Sequence, residues 1–188
     1  MKNFYNLQGR DIIYYSRLIG GGTMIKTNRL YLKEALETDI ASIMEMERHK
    51  DNTDFVWKGS YEQHKSEIEE ENILLFVIKQ NEDDETVGFA LIDTDNRSEI
   101  FELRRIVVSK KGMGYGREVM EALFKFAFEE LRMNRFWLDV YPDNSIGIKL
   151  YESMGMKREG VLRQNYKSER GYLDQIIYSM LKSEYFKN

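Results

Sequence analysis

The chain of 188 residues has no cysteine, one proline and two histidines. Without a thiol there is no disulfide, no thiolate metal ligand and no cysteine acyl-enzyme; the composition suits a reducing compartment, and the cytoplasm is the simplest reading. His49 and His64 stand apart, with no second ligand at a metal-binding spacing, so no metal is implied and both read as surface residues. No apolar run approaches the ~20 residues needed to cross a bilayer, which predicts a soluble chain with no membrane partner. Positive charge is short as well: 28 Lys and Arg against 32 Asp and Glu leave a net charge of −4. That balance argues against broad binding to nucleic acid and tolerates cationic ligands. Core material is plentiful, with 42% hydrophobic and 13% aromatic residues, and the length fits one domain.

Residues Met1 to Thr23 differ from the rest. Ile12 to Tyr15 are apolar, but Arg17 interrupts them and Gly20-Gly21-Gly22 is no signal-peptidase site. This stretch is read as a leader or upstream extension, with Met24 as a natural beginning and 24–188 as a single domain. Alternation of Leu30 and Leu32 with Tyr31 and Lys33 predicts a first strand over Arg29 to Leu36. Thr38 is the expected cap of a helix carrying Ile40, Ile43, Met44 and Glu47 at helical spacing. Ser60-Tyr61-Glu62-Gln63 is a capping box opening a second helix to about Glu71, whose residues Glu67 to Glu71 read as a charged surface face. Ile73 to Ile78 is a continuous apolar run, as for a strand covered on both sides, and pairs through an acidic turn with Thr86 to Ile92. A strand over Ile100 to Val108 leads to a helix ending near Arg132. A further strand, Phe136 to Val140, stops at Pro142. Asp143 or Asn144 can cap a short helix stopped by Gly155, and two last strands, Met156 to Tyr166 and Tyr172 to Leu181, follow.

The densest signal is Leu103 to Arg117, LRRIVVSKKGMGYGR, where a strand runs through Gly112, Gly114 and Gly116 into a helix start. A loop of this kind turns backbone N–H groups toward one point, and the helix adds its unpaired N-terminal donors, so the natural guest is a phosphate. A dinucleotide fingerprint would need a third glycine at position 117, which is Arg117, and no Walker A string occurs. Inside the strand the apolar phase slips between Phe101, Leu103 and Ile106, Val108. A one-residue slip in a period-two pattern is most simply absorbed by a bulge near Arg104 and Arg105.

Lys111-Gly112-Met113-Gly114-Tyr115-Gly116 resembles the Q/R-x-x-G-x-G/A pyrophosphate loop of the GNAT superfamily of acyl-CoA-dependent N-acyltransferases, with Lys111 in the usual Gln/Arg position. Asp143-Asn144-Ser145, Leu150 to Met156 and Glu159-Gly160-Val161-Leu162-Arg163 are similar to the D-N-x-x-A…Y-E-x-x-G-F…E-G-x-x-R run of a branch that includes ribosomal-protein alanine and small-amine acetyltransferases; Gly147 and Met156 replace the common alanine and phenylalanine. The resemblance covers about Ile25 to Leu181. It implies a mixed α/β fold with a mostly antiparallel central sheet, a bulged and splayed strand and flanking helices. It implies acetyl-CoA as cosubstrate, its pantetheine arm against Ile106, Val107 and Val108, its pyrophosphate on Lys111 to Gly116 and Arg117, and Asn144 on the pantetheine amides. Tyr151 is the residue such enzymes use to protonate the leaving thiolate, and Glu102 matches a position that often carries a catalytic carboxylate. The helical pair with Phe55 and Trp57 between would form the acceptor wall. A self-paired dimer through the last strands is compatible with such a fold.

The chemistry sets its own demands. An alkylamine with pKa ~10.4 is less than about 0.1% neutral near pH 7, a deficit of about 4 kcal/mol that a base or desolvation must offset. Glu102 is the candidate base, directly or through a water, unless it is simply an exposed strand glutamate. A backbone N–H freed by the bulge near Val107 is the candidate oxyanion donor. No nucleophile elbow or lysine–serine pair occurs, so the expected reaction is direct attack on acetyl-CoA by a small amine, a polyamine or a protein N-terminus in a ternary complex. The alternative is a non-catalytic acyl-CoA-binding sensor.

Overall fold

The computed structural model describes residues 22–187; the proposed leader, up to residue 21, lies outside them. Among these residues, eight strands form one sheet in the order β1-β2-β3-β4-β5-β6-β8-β7. They are β1 (Met24–Lys26), β2 (Leu30–Glu34), β3 (Ile73–Gln80), β4 (Thr86–Asp95), β5 (Ile100–Val108), β6 (Arg135–Val140), β7 (Lys157–Ser168) and β8 (Gly171–Leu181). Every neighbouring pair is antiparallel except β5 and β6, which are parallel. A parallel pair needs a crossover, and α3 (Tyr115–Lys125) supplies it. The other helices are α1 (Ile40–Arg48), α2 (Tyr61–Glu69), α4 (Ser145–Ser153) and the short α5 (Lys182–Tyr185). The mixed fold and its mostly antiparallel sheet are as expected; β1, only three residues long, is the strand the periodicity does not reveal.

The two faces of the sheet are covered by different helices. Leu74, Phe76, Ile78, Ala90 and Ile92 pack with Val119, Met120, Leu123 and Phe124 of α3, while Leu75, Val77, Phe89, Leu91 and Val107 pack with Ile43 and Ile68 of α1 and α2. This double cover is why Ile73 to Ile78 is apolar throughout. The helix after β5 does not keep α geometry to Arg132: Phe126–Glu130 form a π turn, with Leu131 N–H bonded to the Phe126 carbonyl at 2.9 Å. Phe126, Ala127 and Phe128 are all buried, and an α-helix would spread three consecutive side chains over about 200°.

Two expected caps are decided differently. Ser60 accepts from Gln63 N–H, as the capping box requires. Thr38 caps nothing: Glu37–Asp39 form a 3-10 turn whose Asp39 carboxylate accepts the Leu36 N–H at 2.9 Å. The turn delivers the chain to α1 already wound, so the threonine is not at a cap position.

Candidate active site

The site is made by one irregularity in the sheet. Leu91 pairs with Arg105 but Ile92 pairs with Leu103, so Arg104 is the extra residue of a β-bulge where the phase slip put it. On its other edge β5 pairs with β6 only at Ile100, Phe101 and Glu102; from Leu103 and Leu138 onward the parallel strands diverge without ladder pairing. The closed end of this V is held by Phe101 and Phe136, partners in register whose rings stack at 4.9 Å, with Phe124 edge-on to Phe136 at 4.7 Å. The open end is a cavity of about 470 Å³ lined by both strands and by Trp57, Lys111, Asn144 and Tyr151.

The divergence settles which backbone groups of β5 face the opening. Ser109 N–H donates to the Val87 carbonyl at 2.7 Å, and the Val107 carbonyl oxygen would lie 2.2 Å from a Cβ added at Gly88. Both residues therefore turn their backbone toward β4. By the alternation of an antiparallel ladder, Ile106 and Val108 turn theirs toward the opening. Val107 is thus corrected as an oxyanion donor: its N–H belongs to the β4 ladder, and its side chain packs against the α1–α2 face.

At the mouth, Gly112 and Gly114 have φ of 76° and 77°, the left-handed region that side chains disfavour. Gly114 is the N-cap of α3, and no side chain caps it. The first N–H groups of α3, those of Tyr115, Gly116 and Arg117, thus have no capping acceptor among the described residues, the arrangement that suits an anion. The Glu118 carboxylate on this first turn would oppose an anion, but Arg29 meets it at 2.7 Å and Thr27 at 2.6 Å. These bonds outweigh burial and hold it below the usual carboxylate range. Arg29 also donates to the Met113 carbonyl and stacks over Tyr115, fastening the loop to the β1–β2 turn. Sequence reasoning missed Arg29, because its partners are more than 80 positions away.

The candidate residues divide. Ile106, Lys111, Asn144 and Tyr151 line the main cavity together. Burial pushes the Tyr151 phenol up to about 12. Asn144 caps α4 through Gly147 N–H at 3.0 Å, which leaves its amide N–H groups for other work. Lys111 donates to Asn52 at 3.0 Å in a part-buried bond, and desolvation there pulls its ammonium below the ordinary lysine value. The Tyr115 side chain points away from the loop to donate to Gln80 at 2.9 Å, so only its backbone belongs to the mouth. Arg117 is occupied with Ser153 and Glu121, and Met113 is exposed. Glu102 lies not in the main cavity but in an adjoining one of about 440 Å³, where burial raises its carboxyl above the usual value.

Two surface assignments are overturned. His64 is fully buried, and Glu67 is mostly so. His64 Nε2 meets Glu47 at 3.2 Å and Nδ1 meets Glu67 at 2.9 Å; Arg105 spans the same two carboxylates, reaching Glu47 at 2.8 Å, and stacks over Trp57 at 4.9 Å. Gly59 N–H adds a bond to Glu47 at 2.9 Å. Two carboxylates, an imidazolium and a guanidinium close a neutral ring that ties α1 and α2 to the bulged strand. Burial opposes charge on His64, but the carboxylates on both ring nitrogens prevail and hold it at about 9. Gly59 is required here, since an added Cβ would lie 2.4 Å from His64 Nε2. The readable signal was Glu47 itself, a charge on the apolar stripe of α1, which only a buried partner explains.

A sheet opened at a bulge, with an uncapped helix N-terminus at its mouth, has the shape and polarity to suit an elongated ligand with an anionic end. The chain belongs to the acetyltransferase (GNAT) family, whose model matches residues 37–156. It is 36% identical over 102 residues to an uncharacterized N-acetyltransferase p20 of Bacillus licheniformis, covering 53% of this chain and 56% of that protein. It is 30% identical over 87 residues to a probable spermine N(1)-acetyltransferase of Bacillus subtilis subsp. natto, covering 42% and 57%. The chain therefore spans about half the length of the curated relatives it matches. Spermidine N-acetyltransferase from Vibrio cholerae, solved in complex with CoA and spermine, shares the fold with a TM-score of 0.75 and 19% identity over 85% of this chain and 99% of that one. Among the described residues no helix is long and apolar enough to cross a membrane.

Proposed function

We propose that this protein transfers the acetyl group of acetyl-CoA to a primary amine by direct attack in a ternary complex, and that the acceptor is a small polyamine-type amine. The observation that carries the reading is the divergence of β5 and β6 beside the uncapped N-terminus of α3. The pantetheine arm lies along the open edge of β5 against the backbone of Ile106 and Val108, and the pyrophosphate sits on the first N–H groups of α3. Asn144 serves the pantetheine amides. Tyr151, kept protonated by burial, donates a hydrogen bond to the departing sulfur. A carboxylate facing the acceptor side, Glu102 or its neighbour Asp139, accepts the ammonium proton directly or through a water. A cationic acceptor is favoured by these two half-buried carboxylates and by the likeness to spermine and spermidine acetyltransferases.

The test is thiol release from acetyl-CoA across polyamines, aminoglycosides, amino acids and peptides with free N-termini; the absence of cysteine keeps the background low. Release with polyamines is expected. Release only with peptides would move the acceptor to protein N-termini, and acetyl-CoA binding without release from any amine would replace the enzyme by a sensor. Tyr151→Phe should slow turnover roughly 100-fold while sparing acetyl-CoA affinity.

A further inference from the structure

Direct transfer requires the acyl carbon to lie where the donor space meets the acceptor space. The cavity of about 470 Å³ holds Asn144, Tyr151 and Lys111, and the adjoining one of about 440 Å³ holds Glu102 and the α2 wall. Five residues line both: Trp57, Arg104, Arg105, Asp139 and Tyr166. They mark the junction. Two are guanidinium groups, one is an indole, and one is a phenol whose proton burial holds more tightly. The remaining one is a carboxylate. Resting on the acetyl-transfer reading above, we propose that Asp139 is the catalytic base, taking the ammonium proton of the acceptor at the junction, while Glu102 holds the ammonium on its way in.

The surroundings of Asp139 fit that task. It stands on β6 just past the point where ladder pairing with β5 ends, on the same face of the sheet as Trp137 and Glu102. Gln175 of β8 donates its side-chain amide N–H to Oδ2, and Asn165 of β7 donates to the Gln175 oxygen at 2.5 Å, so a two-step chain orients the carboxylate. Glu47 and Glu67 are spent on His64 and Arg105, whereas neither Asp139 nor Glu102 has a cationic group within 4 Å among the described residues. The charged and titratable groups facing Asp139 are Arg104 from the bulge, Glu102 from the head of β5, Tyr141 just past the end of β6 and Tyr151 of α4. Burial raises both carboxyls above their usual range, which makes each a stronger base than in water.

The step balances. One proton passes from the ammonium to Asp139, the freed nitrogen forms its bond to the acetyl carbon, and the C–S bond breaks. The second proton that nitrogen sheds ends on sulfur, meeting it through the Tyr151 hydroxyl, and Asp139 returns its proton to solvent.

The experiment is the pH dependence of kcat/KM with acetyl-CoA and spermidine for the full chain and for Asp139→Asn and Glu102→Gln, with acetyl-CoA affinity of each by calorimetry. A base that meets the ammonium form gives a rate that is flat between the carboxylate and amine pKa values. Asp139→Asn must wait for free amine: its rate should fall at least about 100-fold near pH 7 and then climb about tenfold per pH unit toward the amine pKa, with acetyl-CoA affinity unchanged. Glu102→Gln should raise KM for spermidine and keep the plateau. Asp139→Glu, which keeps a carboxylate, should retain a plateau at reduced height even if the asparagine variant folds poorly. A plateau in Asp139→Asn within a few-fold of the parent, or its loss in Glu102→Gln instead, overturns the assignment while leaving the transferase reading intact. A parent protein that releases no thiol with any amine overturns both.

Discussion

His64→Gln tests whether the buried ring is held together by an imidazolium. The ring nitrogens face Glu47 and Glu67 at 3.2 and 2.9 Å, and a neutral imidazole would set its bare nitrogen against a carboxylate oxygen. The gap between the ordinary 6.5 and about 9 corresponds to about 3 kcal/mol at 1.36 kcal/mol per pKa unit. The carboxyl of Glu47, which burial pushes up but its bonds to His64 and Gly59 pull below the usual range, reports the same contact and adds nothing further. A pKa raised on folding stabilises fully below the unfolded value, so the contribution is complete below about pH 6.5 and fades as pH rises toward 9. Urea or thermal unfolding of parent and variant should therefore differ by about 3 kcal/mol at pH 6, roughly 10 °C in Tm for a chain of this length, and should converge by pH 9.5. Because the chain has only two histidines, the imidazole resonance of His64 can be followed directly in the same samples. A parent–variant difference that stays constant from pH 6 to 9.5 would refute the charged ring.

Other positions give sharper structural tests. Gly88→Ala puts a Cβ 2.2 Å from the Val107 carbonyl oxygen, a backbone atom that cannot step aside, so calorimetry should show a loss of about 1–3 kcal/mol and exchange of the β4–β5 amides should quicken. Phe136→Ala removes the stack that closes the V at Phe101; a loss of about 3–5 kcal/mol in denaturant unfolding is expected. Gly114→Ala forces a side chain to φ of 77° at a cost of about 1–2 kcal/mol and tilts the first N–H groups of α3, so acetyl-CoA affinity should fall more than stability does.

The amino-acid sequence was sufficient for most of what depends on neighbours along the chain, the 3-10 turn at Thr38 and the π turn at Phe126–Glu130 apart. Period-two alternation and its slip at Leu103 located the strand and its bulge, and three glycines before a helical pattern located the mouth. Asn144 and Tyr151 share one side of α4 because seven residues are nearly two turns, and both line the cavity. Whatever depends on residues far apart needed the fold. Whether Val107 or its neighbours face the opening follows from the β4 ladder, set by Ser109 and Gly88 rather than by Val107. Three helix-borne residues in the ring, Glu47, His64 and Glu67, read from sequence as one more residue at helical spacing, a lone histidine and a solvated acid. Arg105, 38 and 58 positions from its two carboxylates, makes them a single buried unit. Asp139 reads as an ordinary alternating polar residue of β6. Its place at the junction arises only when β5 and β6 part and two cavities meet across them, because proximity in space, unlike periodicity, leaves no mark on the local sequence.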